Sequence, residues 1–129
     1  MEPNQSGRPA TAAPTLDRSV LEELREYAGE EQDLAEELIE LFLEESPQQL
    51  LALQSALRNA DSAEVERRSH RLKGSAGSIG AMRLREICEG LESAARTSPE
   101  RLAETADTEV AAELDALRKA LETFPKRPA

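Results

Sequence analysis

Apolar side chains recur at intervals of three and four residues over most of this chain, and this spacing constrains its fold more than any other feature. An α-helix turns once every 3.6 residues, so such a spacing places the apolar side chains along one helical face. Aromatic residues make up only 2% of the 129 residues, and leucine and alanine must therefore fill the interior. Because good helix formers abound and β-branched residues are scarce, the composition favours helix over sheet.

Capping residues, prolines and glycines divide the apolar pattern into helices. The first helix is expected to begin at Asp17 and to end at Gly29. The second begins near Glu31 and continues to Asn59, and Ser46-Pro47 indicates either a kink or a new start within it.

The third helix has the clearest start signal, because Asp61 opens a D-x-x-E spacing typical of a capping box. It runs to about Ile79, and Gly80 marks the turn that follows. A fourth helix is expected over about residues 81–96, and Ser98-Pro99 is expected to cap the start of the last one.

The apolar face of each helix defines the predicted core. Its residues are Val20, Leu24, Tyr27, Leu34, Leu38, Leu41, Phe42, Leu50, Leu53, Leu57, Val65, Leu72, Ala76, Ile79, Leu84, Ile87, Cys88, Leu91, Ala95, Val110, Leu114, Leu117, Leu121 and Phe124. Since short connections favour antiparallel neighbours, the predicted fold is all-α, an antiparallel four-helix bundle with an additional N-terminal helix over residues 16–124. Residues 1–15 are expected to be a disordered tail, because they lack periodicity, and residues 125–129 a frayed end.

The charge of the chain excludes several classes of function. A net charge of -10 disfavours nucleic-acid binding, since Lys and Arg contacts to phosphate supply most of that affinity, and it disfavours an anionic membrane surface. The first 14 residues lack the apolar stretch of a secretory signal, and no segment is apolar enough to span a bilayer. The single cysteine excludes an internal disulfide. We therefore expect a cytoplasmic protein.

The only histidine of the chain is predicted to point away from the core. His70 lies two residues before Leu72, which is about 200° around a helix. Its neighbours on the exposed face are Arg67, Lys73 and Gly74. The imidazole is therefore expected in solvent.

Two glycines interrupt the exposed face of this helix. A glycine inside a helix costs about 1 kcal/mol relative to alanine, and Gly74 is followed one turn later by Gly77. One interpretation is access, because a backbone without Cβ lets another surface approach the imidazole. The alternative is that the helix ends near Lys73 and the glycines form a loop, but Ala76 and Ile79 keep the helical phase.

The segment around His70 is strongly basic. Residues 67–85 contain six Lys or Arg and no Asp or Glu, so this window carries +6 in a chain of net charge -10. Such a window suits an incoming phosphoryl group or an acidic partner. The alternative is a solvated basic stretch that balances acidic neighbours.

These residues favour phosphoryl transfer over other chemistries. A neutral imidazole is a nucleophile, and the Lys73 ammonium can stabilise charge on a transferring phosphoryl oxygen. A phosphate-binding loop is excluded, because Lys73-Gly74-Ser75 has the wrong order and follows no strand. One His and one Cys are too few for a zinc site, and Cys88 lies on an apolar face. No metal site is predicted.

The segment S-H-R-L-K-G-S-A-G-S-I-G, residues 69–80, resembles the signature of histidine-containing phosphotransfer (HPt) domains. Leu91-Glu92 and Arg96 continue the resemblance, which covers about residues 16–124. It implies a four-helix bundle that exposes a phosphorylated histidine, here His70, with Lys73 stabilising the phosphoryl group. It also implies that Gly74 gives a partner room.

The remaining site residues also follow from the resemblance. Glu92 would orient the imidazole or interact with Lys73, and Arg96 would supply a basic side chain near the site. Glu92 stands where family members often carry Gln or Glu, and its negative charge, unlike a Gln amide, opposes a direct bond to the phosphoryl group. The predicted partner-binding residues are Arg67, Arg71, Gly74, Gly77, Glu92 and Arg96. Ser69 stands where Ala is commoner, which leaves the site intact.

The resemblance implies a phosphorelay intermediate that exchanges phosphate with the aspartate of response-regulator receiver domains. Mg²⁺ would belong to the receiver, and the chain would have no cofactor of its own and no autokinase activity. A hybrid histidine kinase is a further possible partner, and we expect a monomer. Two alternatives stay open: a non-catalytic adaptor that blocks a receiver or a kinase, and a phosphoacceptor domain excised from a larger histidine kinase.

Overall fold

The structure is a computed structural model that describes residues 13–28, 33–102 and 106–125 of the chain. These residues form five helices and a short 3₁₀ turn, and no strand occurs among them. The helices are α1 (Arg18–Ala28), α2 (Leu34–Arg58), α3 (Ser62–Ile79), α4 (Met82–Thr97) and α5 (Ala106–Glu122), and the 3₁₀ turn (Pro99–Arg101) lies between α4 and α5. The predicted all-α class is confirmed.

Helices α2 to α5 form a four-membered bundle in which each helix packs against two others. Helix α3 contacts α2 and α4, and α5 closes the ring by contacting α2 and α4 as well. Helix α1 packs outside this ring, against α2 and α3. Because two or three residues connect α2 to α3 and α3 to α4, these neighbours run antiparallel.

Local capping fixes where α2 and α3 begin. The Asp33 carboxylate accepts a hydrogen bond from the Glu36 amide at 3.1 Å, and the Asp61 carboxylate accepts one from the Glu64 amide at 3.2 Å. Each cap satisfies one of the amides that lack a partner in the first turn of a helix. The start predicted for α3 is therefore confirmed.

The end of α3 is set by Gly80, which adopts a left-handed conformation with φ of 88°. Its carbonyl accepts a hydrogen bond from the Asp17 amide at 2.7 Å. A Cβ on Gly80 would lie 2.5 Å from the Asp17 carbonyl oxygen, so only glycine fits this close approach. The segment before α1 is thereby tied to the turn between α3 and α4.

The core follows the predicted faces of the last three helices closely. Its buried apolar residues are Leu21, Ala35, Phe42, Leu53, Ala56, Val65, Leu72, Ala76, Ile79, Ala81, Leu84, Cys88, Leu91, Ala95, Ala106, Val110, Leu114, Leu117, Leu121 and Phe124. Several predicted residues, such as Leu38, Leu50 and Ile87, are partly buried against this core.

Two predicted core residues are exposed instead. Tyr27 is 88% exposed, because Leu21 is the residue of α1 that reaches the core, and six residues correspond to about 240° around a helix. Leu41 is 47% exposed, whereas its neighbour Phe42 is the residue of α2 that is buried. Leu41 lies at the edge of α2, where the facing residues of α3, Ser75 and Ser78, are too small to cover it. Both predictions were wrong.

The structure also tests the predictions made at Ser46-Pro47 and at Ser98-Pro99. Helix α2 continues through Pro47 as one helix, so the alternative of a new start at Ser46-Pro47 is excluded. Ser98 begins only the 3₁₀ turn and makes no side-chain cap, and α5 begins at Ala106. The start predicted for the last helix at Ser98-Pro99 is therefore wrong.

Some predictions lie outside the described residues. These are the boundaries at Gly29 and Glu31, and the terminal segments 1–12 and 126–129. Residues 13–15 of the predicted N-terminal tail are described, and the carbonyls of Ala13 and Pro14 accept hydrogen bonds from Arg83. In the described part of the chain, no helix is long and apolar enough to cross a membrane.

Candidate functional site

Helix α3 presents His70 to solvent. Val65, Leu72 and Ile79 are buried on the opposite face, and 68% of the His70 side chain is exposed. The helix remains regular as far as Ile79, so the alternative in which it ends near Lys73 is excluded. The structure confirms the prediction that His70 is exposed.

Glu92 of α4 holds one side of the imidazole. Its Oε2 lies 2.9 Å from His70 Nδ1, and only 12% of its side chain is exposed. The hydrogen bond with Lys73, and then that with His70, lower the pKa of Glu92 against the opposing effect of burial. Because an ionised carboxylate can only accept, Nδ1 is the donor in this contact, and Nε2 is the nitrogen that keeps a free lone pair when the ring is neutral.

Lys73 is held by the same carboxylate. Its Nζ lies 2.8 Å from Glu92 Oε1, one helical turn beyond His70 on α3. Glu92 therefore bridges the imidazole and the ammonium, and both contacts that the resemblance implied for it are present. This ion pair neutralises the Lys73 charge locally, and the ammonium can still donate to other acceptors.

The two glycines of the exposed face have different surroundings. A Cβ on Gly74 would meet nothing within 4 Å. A Cβ on Gly77 would lie 3.4 Å from Cδ and 3.5 Å from Nε of Arg85, which comes from α4. Gly74 thus leaves open space beside His70, whereas Gly77 gives room to a side chain of this same protein.

Most cations of the basic window are paired. Arg67 and Arg68 both bind Glu64, the latter at 2.6 Å, and Arg83 lies 3.9 Å from Glu113. Together with Lys73, four of the six cations have acidic partners, so the interpretation as a balanced basic stretch holds for these four. The other two, Arg71 and Arg85, have no acidic partner among the described residues.

Arg96 joins the site from α4. It donates to Glu66 of α3 at 3.1 Å and lies 3.9 Å from Glu92 Oε2. The structure therefore brings Arg96 beside the bridge between His70, Glu92 and Lys73. Arg67 and Arg71, on either side of His70 in α3, are exposed.

Two residues near the site were not among the predicted site residues. Arg85 was visible in the basic window, and its position seven residues before Glu92 puts both on one face of a helix. Ser69 is fully buried with no hydrogen-bond partner for its hydroxyl among the described residues, which no local pattern indicates.

The remaining candidate chemistries find no support in the described residues. No group of three His, Cys, Asp or Glu side chains that could hold a metal ion occurs within 13–28, 33–102 and 106–125. Cys88 is buried in the core, and burial raises the pKa of its thiol to about 12. Its buried position agrees with its prediction as a core residue.

A helical bundle that exposes one histidine, with its Nδ1 bound by a neighbouring helix, defines a class of histidine phosphocarriers. Comparison with known families supports this class, since residues 37–121 match the model of the Hpt domain. The match covers most of the chain, which therefore belongs to the Hpt domain family. No curated protein sequence matches the chain.

A solved structure shows the same likeness. The chain is similar to histidine-containing phosphotransfer protein B from Pseudomonas aeruginosa PAO1, with a TM-score of 0.76 and 28% sequence identity. The alignment covers 86% of this chain and 94% of that one. The chain is a histidine phosphotransfer intermediate of a phosphorelay, whose partners are phosphorelay kinases and response regulators. The alternative of a non-catalytic adaptor is not favoured.

Proposed function

We propose that His70 accepts a phosphoryl group from the aspartyl phosphate of a receiver domain and donates it to the aspartate of another. The chain has one histidine, so a histidine phosphotransfer protein of this sequence has no other acceptor. The observation that carries the proposal is the bond between Nδ1 and Glu92, which leaves Nε2 of an exposed ring as the nucleophile.

The transfer step forms one bond and breaks one. The Nε2 lone pair attacks phosphorus, the N–P bond forms, and the bond between phosphorus and the aspartyl oxygen breaks. The aspartate leaves as a carboxylate with the electron pair of that bond. The hydrogen on Nδ1 stays in place, and Glu92 stabilises the positive charge that develops on the imidazole, as the acid of a catalytic triad does for its histidine.

Lys73 would assist at the phosphoryl oxygens. Its ammonium is held beside His70 by the ion pair with Glu92, and its N–H donors suit negative charge that develops during transfer. Glu92 would act on the ring and on Lys73, since its negative charge opposes direct contact with a phosphoryl group. It is a positioning residue in this proposal.

The partner would dock over the exposed face of α3 and the adjoining part of α4. The open space at Gly74 supports a close approach to His70. Partner contacts are proposed for Arg67, Arg71, Gly74, Gly77, Glu92 and Arg96. Mg²⁺ would be bound by the receiver, and this chain would contribute no cofactor. We further propose that the protein is a cytoplasmic monomer.

Phosphotransfer from a panel of phosphorylated receiver domains tests the assignment. The wild-type chain should gain about 80 Da of phosphate that is labile in acid and stable in base, as expected for phosphohistidine. His70→Gln should gain none, and Arg101→Gln, which changes an exposed side chain in the 3₁₀ turn, should behave as the wild type.

A second donor separates the chemistry from docking. Phosphoramidate phosphorylates histidine without a protein partner, and it should label the wild-type chain but not His70→Gln. A His70→Gln variant that still accepts phosphate from either donor would refute the assignment of His70.

A further inference from the structure

We propose that Arg71 and Arg85 are the two side chains through which this protein selects its receiver, and that the receiver carries carboxylates opposite both. This inference rests on the proposed function, because it concerns the surface that surrounds His70. It adds Arg85 to the docking surface and gives Gly77 a role within the chain. We call Arg71 and Arg85 the free cations.

The packing at Gly77 positions Arg85. The Cδ and Nε atoms of Arg85 lie 3.4 and 3.5 Å from the place where a Cβ of residue 77 would be, so the side chain of α4 lies across the bare backbone of α3. Gly77 follows His70 by seven residues, which is two helical turns on nearly the same face. Arg85 therefore lies on the surface that presents His70.

Arg85 also shares a helical face with Glu92. It precedes Glu92 by seven residues, about 20° around α4, and it precedes Glu89 by four residues, about 40° around α4. These three residues and Glu86 line one open groove of about 490 Å³, yet neither Glu86 nor Glu89 pairs with Arg85. Arg85 is exposed, and no ion pair joins its guanidinium to a carboxylate of the described residues.

Arg71 occupies the other side of the imidazole. It follows His70 directly in α3, about 100° around the helix towards α2, and its side chain is exposed. No acidic side chain of the described residues pairs with it. Arg71 thus lies next to His70 on the side towards α2, and Arg85 lies over Gly77, about 10 Å further along α3 on the face of His70.

The chemistry of the partner follows from this arrangement. Arg67, Arg68, Lys73 and Arg96 are already bound by Glu64, Glu92 and Glu66, so a partner carboxylate would have to compete for them. The free cations offer bidentate donors at no such cost. A partner with carboxylates at both positions should associate faster and in one fixed orientation, and a partner without them should not.

The test measures phosphotransfer from the receiver domain that transfers fastest to the wild-type chain in the panel above. We expect Arg85→Glu and Arg71→Glu each to lower kcat/KM about tenfold at low ionic strength, and less than about threefold in 0.3 M salt, because screening weakens exposed charge contacts. The control Arg101→Glu makes the same charge change in the 3₁₀ turn and should alter kcat/KM less than about twofold. Phosphoramidate needs no docking surface, so in 0.3 M salt, where its own negative charge is screened, the rates at which it labels the four proteins should agree within about twofold.

A double-mutant cycle tests how Arg85 is positioned. Gly77→Leu should slow transfer from the receiver, and it should slow it much less when Arg85 is already alanine, since the added side chain acts by displacing Arg85. Equal effects of Gly77→Leu in both backgrounds would mean that Gly77 itself contacts the partner, as in the proposed function, and that it does not act through Arg85.

The outcomes separate this inference from the proposed function. If the wild-type chain transfers phosphate but Arg85→Glu and Arg71→Glu do so at the rate of Arg101→Glu, the free cations do not select the partner and this inference is wrong. If neither a receiver nor phosphoramidate labels His70, the proposed function fails, and the inference fails with it.

Discussion

At the scale of single residues, the site depends on Glu92. Its two oxygens bind His70 Nδ1 and Lys73 Nζ at 2.9 and 2.8 Å, so one carboxylate sets both the tautomer of the ring and the position of the ammonium. A neutral amide in its place has one acceptor oxygen and cannot serve both groups in the same way. The charge of Glu92, and not only its shape, is therefore functional in this interpretation.

We expect Glu92→Gln to change the tautomer of His70 and to slow phosphotransfer. Nitrogen-15 NMR of the imidazole should show mainly the Nδ1–H form in the wild-type chain and a mixture in the variant. The rate of labelling by phosphoramidate should fall about tenfold, the low end of what a positioned acid–base partner contributes. An unchanged tautomer together with an unchanged rate would show that Glu92 is only structural.

The lowered pKa of Glu92 also predicts how stability depends on pH. A carboxyl whose pKa is lower in the folded state stabilises the fold at pH values above its unfolded value, about 4.5, and this stabilisation is lost as the pH falls through the folded pKa. The wild-type chain should therefore exceed Glu92→Gln in Tm at pH 7, and the difference should shrink below pH 4.5. Thermal unfolding followed by circular dichroism measures both, and a difference that persists at pH 2.5 would contradict this account.

At the scale of elements, Gly80 at the end of α3 and Gly74 within it have opposite effects on the stability of the fold. Gly80 ends α3 with a φ of 88°, and a Cβ there would lie 2.5 Å from a backbone oxygen. Gly74 is inside the helix, where a Cβ would meet nothing within 4 Å. The first glycine is required by the fold, whereas the second costs stability that the fold does not require.

We expect alanine at these two positions to have effects of opposite sign. Gly80→Ala should lower the free energy of unfolding by about 2 kcal/mol or more, because the clash and the left-handed backbone both add strain. Gly74→Ala should raise it by about 0.5 to 1 kcal/mol, because it restores helix propensity at an exposed site. Urea unfolding measures both, and a destabilising Gly74→Ala would show that the site is not open.

A larger side chain at the open glycine should affect function alone. Gly74→Leu should slow phosphotransfer from a receiver domain, since the added side chain occupies the space through which the partner approaches His70. Its circular dichroism spectrum should match that of the wild-type chain, and phosphoramidate, being small, should label it nearly as fast. Unfolding of the variant would contradict the placement of Gly74 on an exposed face.

The elements that could be predicted are those with strong local signals. In α3 the periodic residues Val65, Leu72 and Ile79, with a cap at Asp61 and a glycine at residue 80, gave the correct helix and the exposed position of His70. Prediction failed where contacts between residues far apart in the sequence determine which side chains are buried. Tyr27 is exposed because α1 packs on the bundle through another face, which its own sequence does not reveal. The 3₁₀ turn after Ser98 has no apolar repeat by which it could be predicted.

The candidate site likewise has residues that the sequence indicated and contacts that only the structure shows. The motif and the helical phase indicated His70, Lys73 and Gly74, and the resemblance added Glu92. Only the structure could show that Arg96 and Arg83 lie beside Glu66 and Glu113, because each of these pairs joins residues 30 positions apart. The selection of Arg71 and Arg85 as free cations is beyond sequence reasoning for this reason.

At the scale of the whole molecule, Arg83 joins three parts of the fold. Its amide and its Nε donate to the carbonyls of Pro14 and Ala13, at 3.0 and 3.1 Å, in the segment before α1. Its guanidinium lies 3.9 Å from Glu113 of α5, a carboxylate with only 8% of its side chain exposed. Glu113 Oε2 is buried and has no hydrogen-bond partner among the described residues, and Arg83, beside Oε1, is the cation paired with this carboxylate.

We expect Arg83→Ala to destabilise the protein chiefly by leaving the Glu113 charge buried. The loss should be about 2 kcal/mol in urea unfolding, less than for a fully buried pair because Arg83 is 40% exposed. Glu113→Gln should recover part of this loss in the Arg83→Ala background, since it removes the uncompensated charge, although it should cost stability in the wild-type background. Arg118→Ala, which breaks only exposed ion pairs on α5, should cost less than about 0.5 kcal/mol. If the effects of Arg83→Ala and Glu113→Gln are additive, the guanidinium stabilises the fold through the N-terminal segment alone, and the link between that segment and α5 does not exist.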